Sequence, residues 1–201
     1  MRRITFDILM ATAGLFLSVT LIAAGGLLTW AHSFIGNEVH TQLAAQQIYF
    51  PAANSPAVAA PEFAAMRQYG GQQLTTGAQA EVYADHFIAN HLKKIGGGLT
   101  YSQLSAKAIA QPNNAALQAQ VATVFKGETL RGLLLNAYAF GTMGMLAGIA
   151  AIVAFAGGIV LLVLSALGFA HQRRTPVEAE IFTKTVTPNG KVPPRTPVTT
   201  A

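Results

Sequence analysis

Two long runs of apolar residues, one near each end of the chain, dominate the pattern of hydrophobic and polar positions. The first run extends from Ile8 to Ala31, and the second lies in a stretch without charged residues from Gly132 to Ala170. A helix rises about 1.5 Å per residue, so about 20 residues cross a hydrocarbon core of about 30 Å. Each run is long enough to form a transmembrane helix, and we place these helices at residues 8–31 and 143–170.

Two alternatives to this assignment stay open from the sequence. A basic tip, Met1-Arg-Arg3, precedes the first run as it would in a cleaved signal peptide, but signal cores are usually about 7–15 residues long. An uncleaved anchor is therefore favoured. The second stretch could instead fold as a hairpin with a turn near residues 141–144, which would give three spans. Residues 133–140 are too few to cross a bilayer alone, and this favours a single second span.

Arginines flank both spans on the side of the chain ends. Arg2-Arg3 precedes the first span and Arg173-Arg174 follows the second. Short segments rich in Lys and Arg stay on the cytoplasmic side of a membrane, so we expect a plasma-membrane protein with both termini in the cytoplasm. Residues 1–7 are then a cytoplasmic N-terminus, and residues 32–142 lie outside the cell.

The region between the spans carries signals of helices rather than of strands. Thr76-Gly-Ala-Gln79 and Thr100-Tyr-Ser-Gln103 have the form of capping boxes, in which a hydroxyl and a glutamine side chain bond the free amides of a first helical turn. The first of these helices should end at glycines 96–98, and the second near Ala110. Helical spacing predicts the buried face of the first helix: Ala80, Tyr83, Ala84, Phe87, Ile88, His91 and Ile95.

Three further segments complete the predicted architecture between the spans. Residues 33–48 can continue the first span outward as a helix, and the proline-rich residues 52–61 indicate a loop or linker. Asn113 or Asn114 should cap a last helix, which Gly127 ends or kinks. The predicted inner face of that helix consists of Leu117, Val121, Val124 and Phe125.

These elements define the expected fold class, an all-α membrane protein in which two transmembrane helices flank a small exported helical bundle. After the second span the apolar content falls and prolines recur, so residues 171–201 are predicted to form a disordered cytoplasmic tail. Only 10% of the 201 residues are charged, against about 25% in an average soluble protein.

Charge and cysteine content exclude several classes of function. In a membrane protein a net charge of +5 is explained first by the excess of Lys and Arg on the cytoplasmic side. The basic residues do not cluster among aromatic side chains, so no nucleic-acid partner is expected. The chain has no cysteine, which excludes disulfides, thiolate zinc sites, iron–sulfur clusters and cysteine nucleophiles.

Small residues recur at helical spacing along the second span and mark a candidate packing surface. Gly144 and Gly148 form one small-x-x-x-small pair, and Ala154 and Gly158 form another. Small residues let helix backbones approach closely in lipid, where no hydrophobic force drives association. The partner helix could be the first span, through its Gly14-x-x-x-Ser18 segment, or a helix of another chain.

The polar residues of the exported region suggest one ion pair and no chemical site. Glu128 and Arg131 lie one turn apart and can pair at the membrane surface. No H-E-x-x-H motif occurs, and two histidines five residues apart on one helix do not converge. We expect His91 to be half-buried in the bundle, and His86 and Asp85 to be solvated. We therefore predict no catalytic residue, no metal and no cofactor, although candidate ligands exist: Glu81, Asp85, His40, His86 and His91.

The function most consistent with these features is that of a structural or interaction module, such as an accessory subunit of an envelope complex, rather than an enzyme. The expected partners are membrane lipid and another membrane or envelope protein, or a second copy of the chain. Two alternatives are a metal-dependent membrane enzyme, using His40, His86 or His91, and a small homo-oligomeric pore.

Three motifs resemble a group of actinobacterial two-span membrane proteins of uncharacterised function: Tyr83-Ala-Asp-His-Phe-Ile88, Gly98-Leu-Thr-Tyr-Ser-Gln103 and Gly127-Glu-Thr-Leu-Arg-Gly-Leu-Leu-Leu-Asn-Ala-Tyr138. The resemblance covers roughly Ile8 to Ala170, and its last motif is the most specific. It implies a location and a topology, and no activity. Some members bear the label of aromatic ring-opening dioxygenase, an enzyme class whose non-haem iron is held by histidines and a carboxylate. No matching ligand motif occurs here, so the label is not carried over.

Overall fold

Helices make up nearly all of the regular structure in the computed structural model, which describes residues 3–174. Within that range there is no strand, and the predicted all-helical class is confirmed. A π-helical segment, Tyr83–Ile88, joins the second helix to the third, and 3-10 turns lie at Pro56–Val58 and Pro61–Tyr69. The α-helices are α1 (Arg3–Ala45), α2 (Gly77–Val82), α3 (Ala89–Ile95), α4 (Tyr101–Ala110) and α5 (Ala115–Gln172).

Two of these helices, α1 and α5, are long and apolar enough to cross a membrane. Their 43 and 58 residues correspond to lengths of about 65 Å and 87 Å at the helical rise. The most apolar 18-residue windows of α1 and α5 have mean hydropathies of 2.1 and 2.7, and only 17% of each window is buried. The helix that was predicted to continue the first span outward is present and ends at Ala45.

Helix α5 is a single unbroken element, and Gly127, which was expected to end or kink the last helix, does not end it. No turn occurs at residues 141–144, so the less favoured hairpin alternative is not formed. The predicted cap is Asn114, whose Oδ1 accepts a hydrogen bond from the Leu117 amide at 3.1 Å. The helix continues through Gln172, beyond the expected start of the tail at residue 171. Most of that predicted tail, from residue 175 onward, lies outside the described residues.

The chain forms two compact units, and both contain parts of α1 and α5. The first unit comprises Met1–Val19 and Gly158–Ala201, and the second comprises Thr20–Gly157. In the first unit the buried Ser18 hydroxyl donates a hydrogen bond to the Gly158 carbonyl at 2.8 Å. The segment before Ser18 packs closely as well, because a Cβ on Gly14 would overlap the side chain of Ser165. Helices in this unit therefore meet through small residues.

The second unit contains a small domain whose core is built largely from residues between the long helices. Val58 is fully buried although it lies in the predicted loop 52–61, which folds into a 3-10 turn. Arg67 fixes this turn, since its guanidinium donates hydrogen bonds to the carbonyls of Val58, Ala59 and Ala60 at 2.7 to 3.1 Å. The core cluster consists of Leu43, Phe50, Val58, Phe63, Met66, Leu74, Ala80, Ala84, Ile88, Leu92 and Leu134.

Both predicted capping boxes are confirmed. The Thr76 hydroxyl accepts from the Gln79 amide at 3.2 Å, and the Gln79 side chain accepts from the Thr76 amide at 3.0 Å. The Thr100 box has the same bonds, and α4 ends at Ala110 as expected. Helix α3 ends at the glycines, where Gly97 has a φ of 61° and Gly98 a φ of 81°. Such a left-handed backbone is easily accessible only to glycine.

The π-helical segment changes the buried face that helical periodicity predicts. A π turn contains more residues than an α turn, so residues four apart stay on one face, and the buried positions are Ala80, Ala84, Ile88 and Leu92. His91 was expected to be half-buried, but it is exposed. Ile95 is 40% exposed for the same reason. Leu92, which the α-helical period leaves out, takes the inward position.

One residue of the predicted inner face of the last helix also points outward. Val124 is buried, and Leu117 and Val121 are partly buried, in agreement with the prediction. Phe125 is 53% exposed instead. Its ring packs on Tyr101 of α4, with 5.5 Å between the ring centroids. Phe125 follows Val124 by one residue, or about 100° of helical rotation, which turns it from the core toward the surface.

Candidate functional site

The stretch of α5 from Gly127 to Gly141 is the surface on which the small domain packs. A Cβ on Gly127 would overlap the side chain of Leu92, so glycine permits α3 to approach α5. At the other end, a Cβ on Gly77 would lie 3.1 Å from the Ala137 carbonyl oxygen and 3.3 Å from the Gly141 Cα. The helical run from α2 to α3 therefore lies antiparallel to α5 with two glycine contacts.

An ion network joins the same two elements between the glycine contacts. Arg131 Nη2 donates to Asp85 Oδ1 at 2.7 Å, and Arg131 Nη1 lies 3.6 Å from Glu128 Oε2. The predicted pair of Glu128 and Arg131 is thus present, but the shorter bond goes to Asp85. Asp85 was expected to be solvated, and its side chain is indeed 40% exposed, but its ion pair with Arg131, 46 residues away in the sequence, was not predicted. All three side chains are about a third exposed or more, so water weakens their attraction.

Three of the four small residues predicted to pack in the second span, Gly144, Gly148 and Gly158, contact α1. A Cβ on Gly144 would press on Ile35, and one on Gly148 would press on the ring of His32. The Nδ1 atom of His32 lies 2.7 Å from the Gly144 carbonyl oxygen, within hydrogen-bond distance. In the second pair, Ala154 is buried and the Gly158 carbonyl accepts the bond from Ser18. These contacts support helix packing within one chain.

A groove of about 520 Å³ lies between the outer parts of α1 and α5, and we call it the α1–α5 groove. Its wall on α1 has a polar edge formed by Glu38, Gln42 and Gln46. The sequence analysis did not predict this groove. The only signal in the sequence is that its apolar residues on α5 recur three and four positions apart, as in any amphipathic helix. Its main apolar lining consists of Phe34, Leu130, Leu133, Leu134, Phe140 and Met143.

The histidines that were candidate metal ligands lie apart. His86 Nδ1 is 3.2 Å from the Glu62 carbonyl oxygen, and His91 Nδ1 is 2.7 Å from the Phe87 carbonyl oxygen. The ring of His91 packs on Phe87, with centroids 4.3 Å apart. His40 is exposed on α1. Between residues 3 and 174, no three side chains of His, Asp or Glu converge in a way that could hold a metal ion.

Two ionisable groups of the small domain have shifted pKa values. Hydrogen bonding by its own backbone, and then by Lys94 at 3.2 Å, lowers the pKa of the Glu62 carboxyl. Burial raises the pKa of the Tyr83 hydroxyl, whose ring lies edge-on to Phe50 with centroids 5.4 Å apart. Neither group lines the α1–α5 groove, so these shifts are consequences of domain packing.

Comparisons with known proteins give no match, since no protein-family model, no curated protein and no solved structure matches this chain. The resemblance to actinobacterial membrane proteins therefore stays a prediction. The most distinctive surfaces of the described chain are the apolar exteriors of its long helices, the α1–α5 groove and the exposed end of its small domain.

Proposed function

We propose that this chain is a two-span integral membrane protein whose exported helical domain serves as an interaction module for another envelope protein. The spans are residues 8–31 and 143–170, both termini lie in the cytoplasm, and residues 32–142 lie outside. The protein would act as an accessory subunit that holds or positions its partner, and not as an enzyme.

The observation that carries the membrane placement is the outward orientation of large apolar side chains on both long helices. Phe16 is 75% exposed, and Leu27 and Ile152 are each 71% exposed. A helix in the core of a soluble protein would bury such residues, and soluble monomers rarely expose apolar patches of more than a few hundred Å². Lipid supplies the missing apolar surroundings.

The orientation in the membrane is supported by the charges and aromatic residues near the span ends. The arginines lie outside the spans near the chain termini, in accordance with the positive-inside rule. Trp30 lies at the opposite end of the first span and stacks on Phe34, with centroids 5.5 Å apart. Tryptophan prefers the level of the lipid head groups, which fits the outer boundary near residue 31.

The interaction role is supported by exposed apolar side chains on the part of the domain formed by α4 and the start of α5. Ile109 is 78% exposed, Phe125 is 53% exposed, and Tyr101 is 37% exposed. We call these three residues the distal apolar residues. Aromatic side chains are enriched in the centres of protein interfaces. A partner that covers these residues would remove them from water.

Labelling of single cysteines tests the topology, because the chain itself contains none. We expect a membrane-impermeant maleimide to label Ile109→Cys in intact cells. The same reagent should label Arg174→Cys only after the membrane is permeabilised. Labelling of both positions in intact cells, or of neither, would contradict the proposed arrangement.

Photo-crosslinking in cells tests the interaction role. A photoreactive residue at position 109 or 125 should crosslink to one defined envelope protein in stoichiometric amounts. The matched control is position 107, where Lys107 is also exposed on α4 but is polar, and it should give no such product. Crosslinks only between copies of the chain would show that this surface joins identical subunits and would contradict a different partner protein. No crosslinks at either site would overturn the interaction role.

A further inference from the structure

The α1–α5 groove is a long, narrow feature with one polar edge. Its lining extends from Phe34 to Gln46 on α1 and from Leu130 to Met143 on α5. The helical rise converts these 12- to 13-residue intervals into a length of about 18–20 Å. Leu133 is 61% exposed and Phe140 is 55% exposed, so the apolar wall is open and without a protein partner among the described residues.

We propose that this groove binds the acyl chain of a membrane lipid whose head group donates hydrogen bonds to the polar edge. The inference rests on the proposed two-span placement, which brings the Phe140 end of the groove to the outer surface of the bilayer. The chain would lie along the exposed side chains of Leu133 and Phe140, and the head group would lie on the side of Glu38, Gln42 and Gln46.

The volume of the groove suits one small ligand or acyl chain. The groove has a volume of about 520 Å³, within the range of about 300–1,000 Å³ that is usual for small-molecule sites.

The position of the groove identifies the membrane as the source of the chain. Its apolar wall continues on α5 beyond Met143 into the exposed residues of the proposed span, where Leu146 is 56% and Ile149 is 53% exposed. A lipid could therefore enter from the bilayer without its acyl chain leaving an apolar surface. Exposed apolar strips of this kind mark ligand or membrane contacts.

The polar edge indicates the chemistry of the head group. Among the described residues Glu38 is the only ionisable side chain that lines the groove, and its Oε1 accepts a hydrogen bond from Gln42 Nε2 at 2.8 Å. Gln46 follows four residues later, in the turn directly after α1. A carboxylate attracts donors such as an ammonium group or sugar hydroxyls and disfavours a head group with only negative charge. Phosphatidylethanolamine has the required donor.

Quenching of tryptophan fluorescence by brominated acyl chains tests the inference in nanodiscs. Trp30 is the single tryptophan, so Trp30→Phe provides a background for one reporter at a time. With brominated phosphatidylethanolamine we expect Leu133→Trp to lose as much emission as Ile152→Trp, which reports on the proposed span. Ala139→Trp is the control, because Ala139 is exposed on α5, does not line the groove and lies about 120° round the helix from Leu133.

The reporters separate the possible failures. Ala139 lies six residues closer to the span than Leu133, or about 9 Å along the helix, so a bilayer that simply reached higher would quench it first. Equal quenching at Leu133 and Ala139, or none at Leu133 beside strong quenching at Ile152, would overturn the groove as a lipid site. Absence of quenching at Ile152 would instead overturn the membrane placement itself.

The head-group part of the inference has its own test. Quenching of the Leu133 reporter should be stronger with brominated phosphatidylethanolamine than with brominated phosphatidylglycerol at the same content. In a Glu38→Gln background this preference should disappear while quenching persists. Equal quenching by both lipids in the chain that retains Glu38 would show that the carboxylate does not select the head group.

Discussion

The paired long helices and the small domain use residues of the same kind in opposite ways. Where α1 and α5 pair, small residues such as Ser18 and Gly158 face each other, and large ones such as Leu27 point outward at 71% exposure. In the domain the large residues point inward, since Met66 is 1% and Leu74 is 0% exposed. Hydrophobicity alone therefore does not show which leucine stabilises the fold, and the surrounding medium must be considered.

The largest expected difference in stability is between two leucine-to-alanine substitutions, one in the small domain and one on a long helix. Leu74→Ala should destabilise the domain by about 2–5 kcal/mol, because it removes a buried side chain and leaves a cavity. Leu27→Ala should change stability by less than about 0.5 kcal/mol, since this side chain packs on no core. Hydrogen exchange of the amides in residues 77–95, measured in nanodiscs, reports the opening free energy. Similar losses in both variants would show that the two regions do not differ as described.

A second contrast compares two glycines of α5 that periodicity cannot distinguish. Alanine is favoured over glycine in a helix by about 1 kcal/mol, so Gly132→Ala, with nothing near its new Cβ, should stabilise slightly. Gly127→Ala must displace the buried Leu92 and should cost about 1–3 kcal/mol by overpacking. The same hydrogen-exchange measurement applies. In a chain that already carries Leu92→Ala, the substitution Gly127→Ala should cost less than it does beside the original Leu92. An equal cost in both backgrounds would refute the steric cause.

A third contrast concerns the paired helices alone. Ser18→Ala removes a buried hydrogen bond between α1 and α5 and should cost about 0.6 kcal/mol, up to about 1.7 kcal/mol, as measured for such bonds in membranes. Thr29→Ala removes a bond of 2.8 Å to Gly25 within the same helix, so its effect on pairing should be smaller. The free energy of unfolding of the helix pair in mixed detergent micelles compares the two variants. An equal loss in both would show that the hydrogen bond between the helices does not stabilise their pairing.

Local features of the fold followed from the sequence, whereas features that join distant residues did not. The capping boxes at Thr76 and Thr100 involve residues three apart, and the pattern identifies them without knowledge of the rest of the chain. The pair of Glu128 and Arg131 is local as well. The Asp85 bond to Arg131 spans 46 residues, so no local spacing could indicate it.

The errors on the buried face of residues 80–95 have one physical origin, which is that a period of 3.6 residues was assumed across the π-helical segment. The π-helical segment shifts the inward position from His91 to Leu92, and the close approach of α3 to α5 at Gly127 depends on that shift. The α1–α5 groove was missed for a different reason. Leu133 and Phe140 belong to the uncharged stretch, and in the sequence they are indistinguishable from residues of a span.

The smallest expected effect is a pH dependence that should belong to the domain only. Residues 8–31 and 143–170 contain no ionisable side chain, so the proposed spans contribute nothing to it. The folded pKa of Glu62 is lowered from 4.5 by hydrogen bonds, including the one from Lys94, whose ammonium also lies 5.2 Å from the Phe63 ring centroid. The native state therefore binds this proton less readily than the unfolded chain.

The stabilisation from Glu62 should therefore be complete above about pH 4.5 and should be lost as the pH falls through the lower folded pKa. Hydrogen exchange between pH 3 and 6, corrected for the intrinsic exchange rate, should show a stability difference between the original chain and Glu62→Gln that shrinks toward acid pH. The effect is small because both side chains are exposed to water. A difference that stays constant over this range would mean that Glu62 stabilises the domain through packing, in the manner of the buried core, and not through its charge.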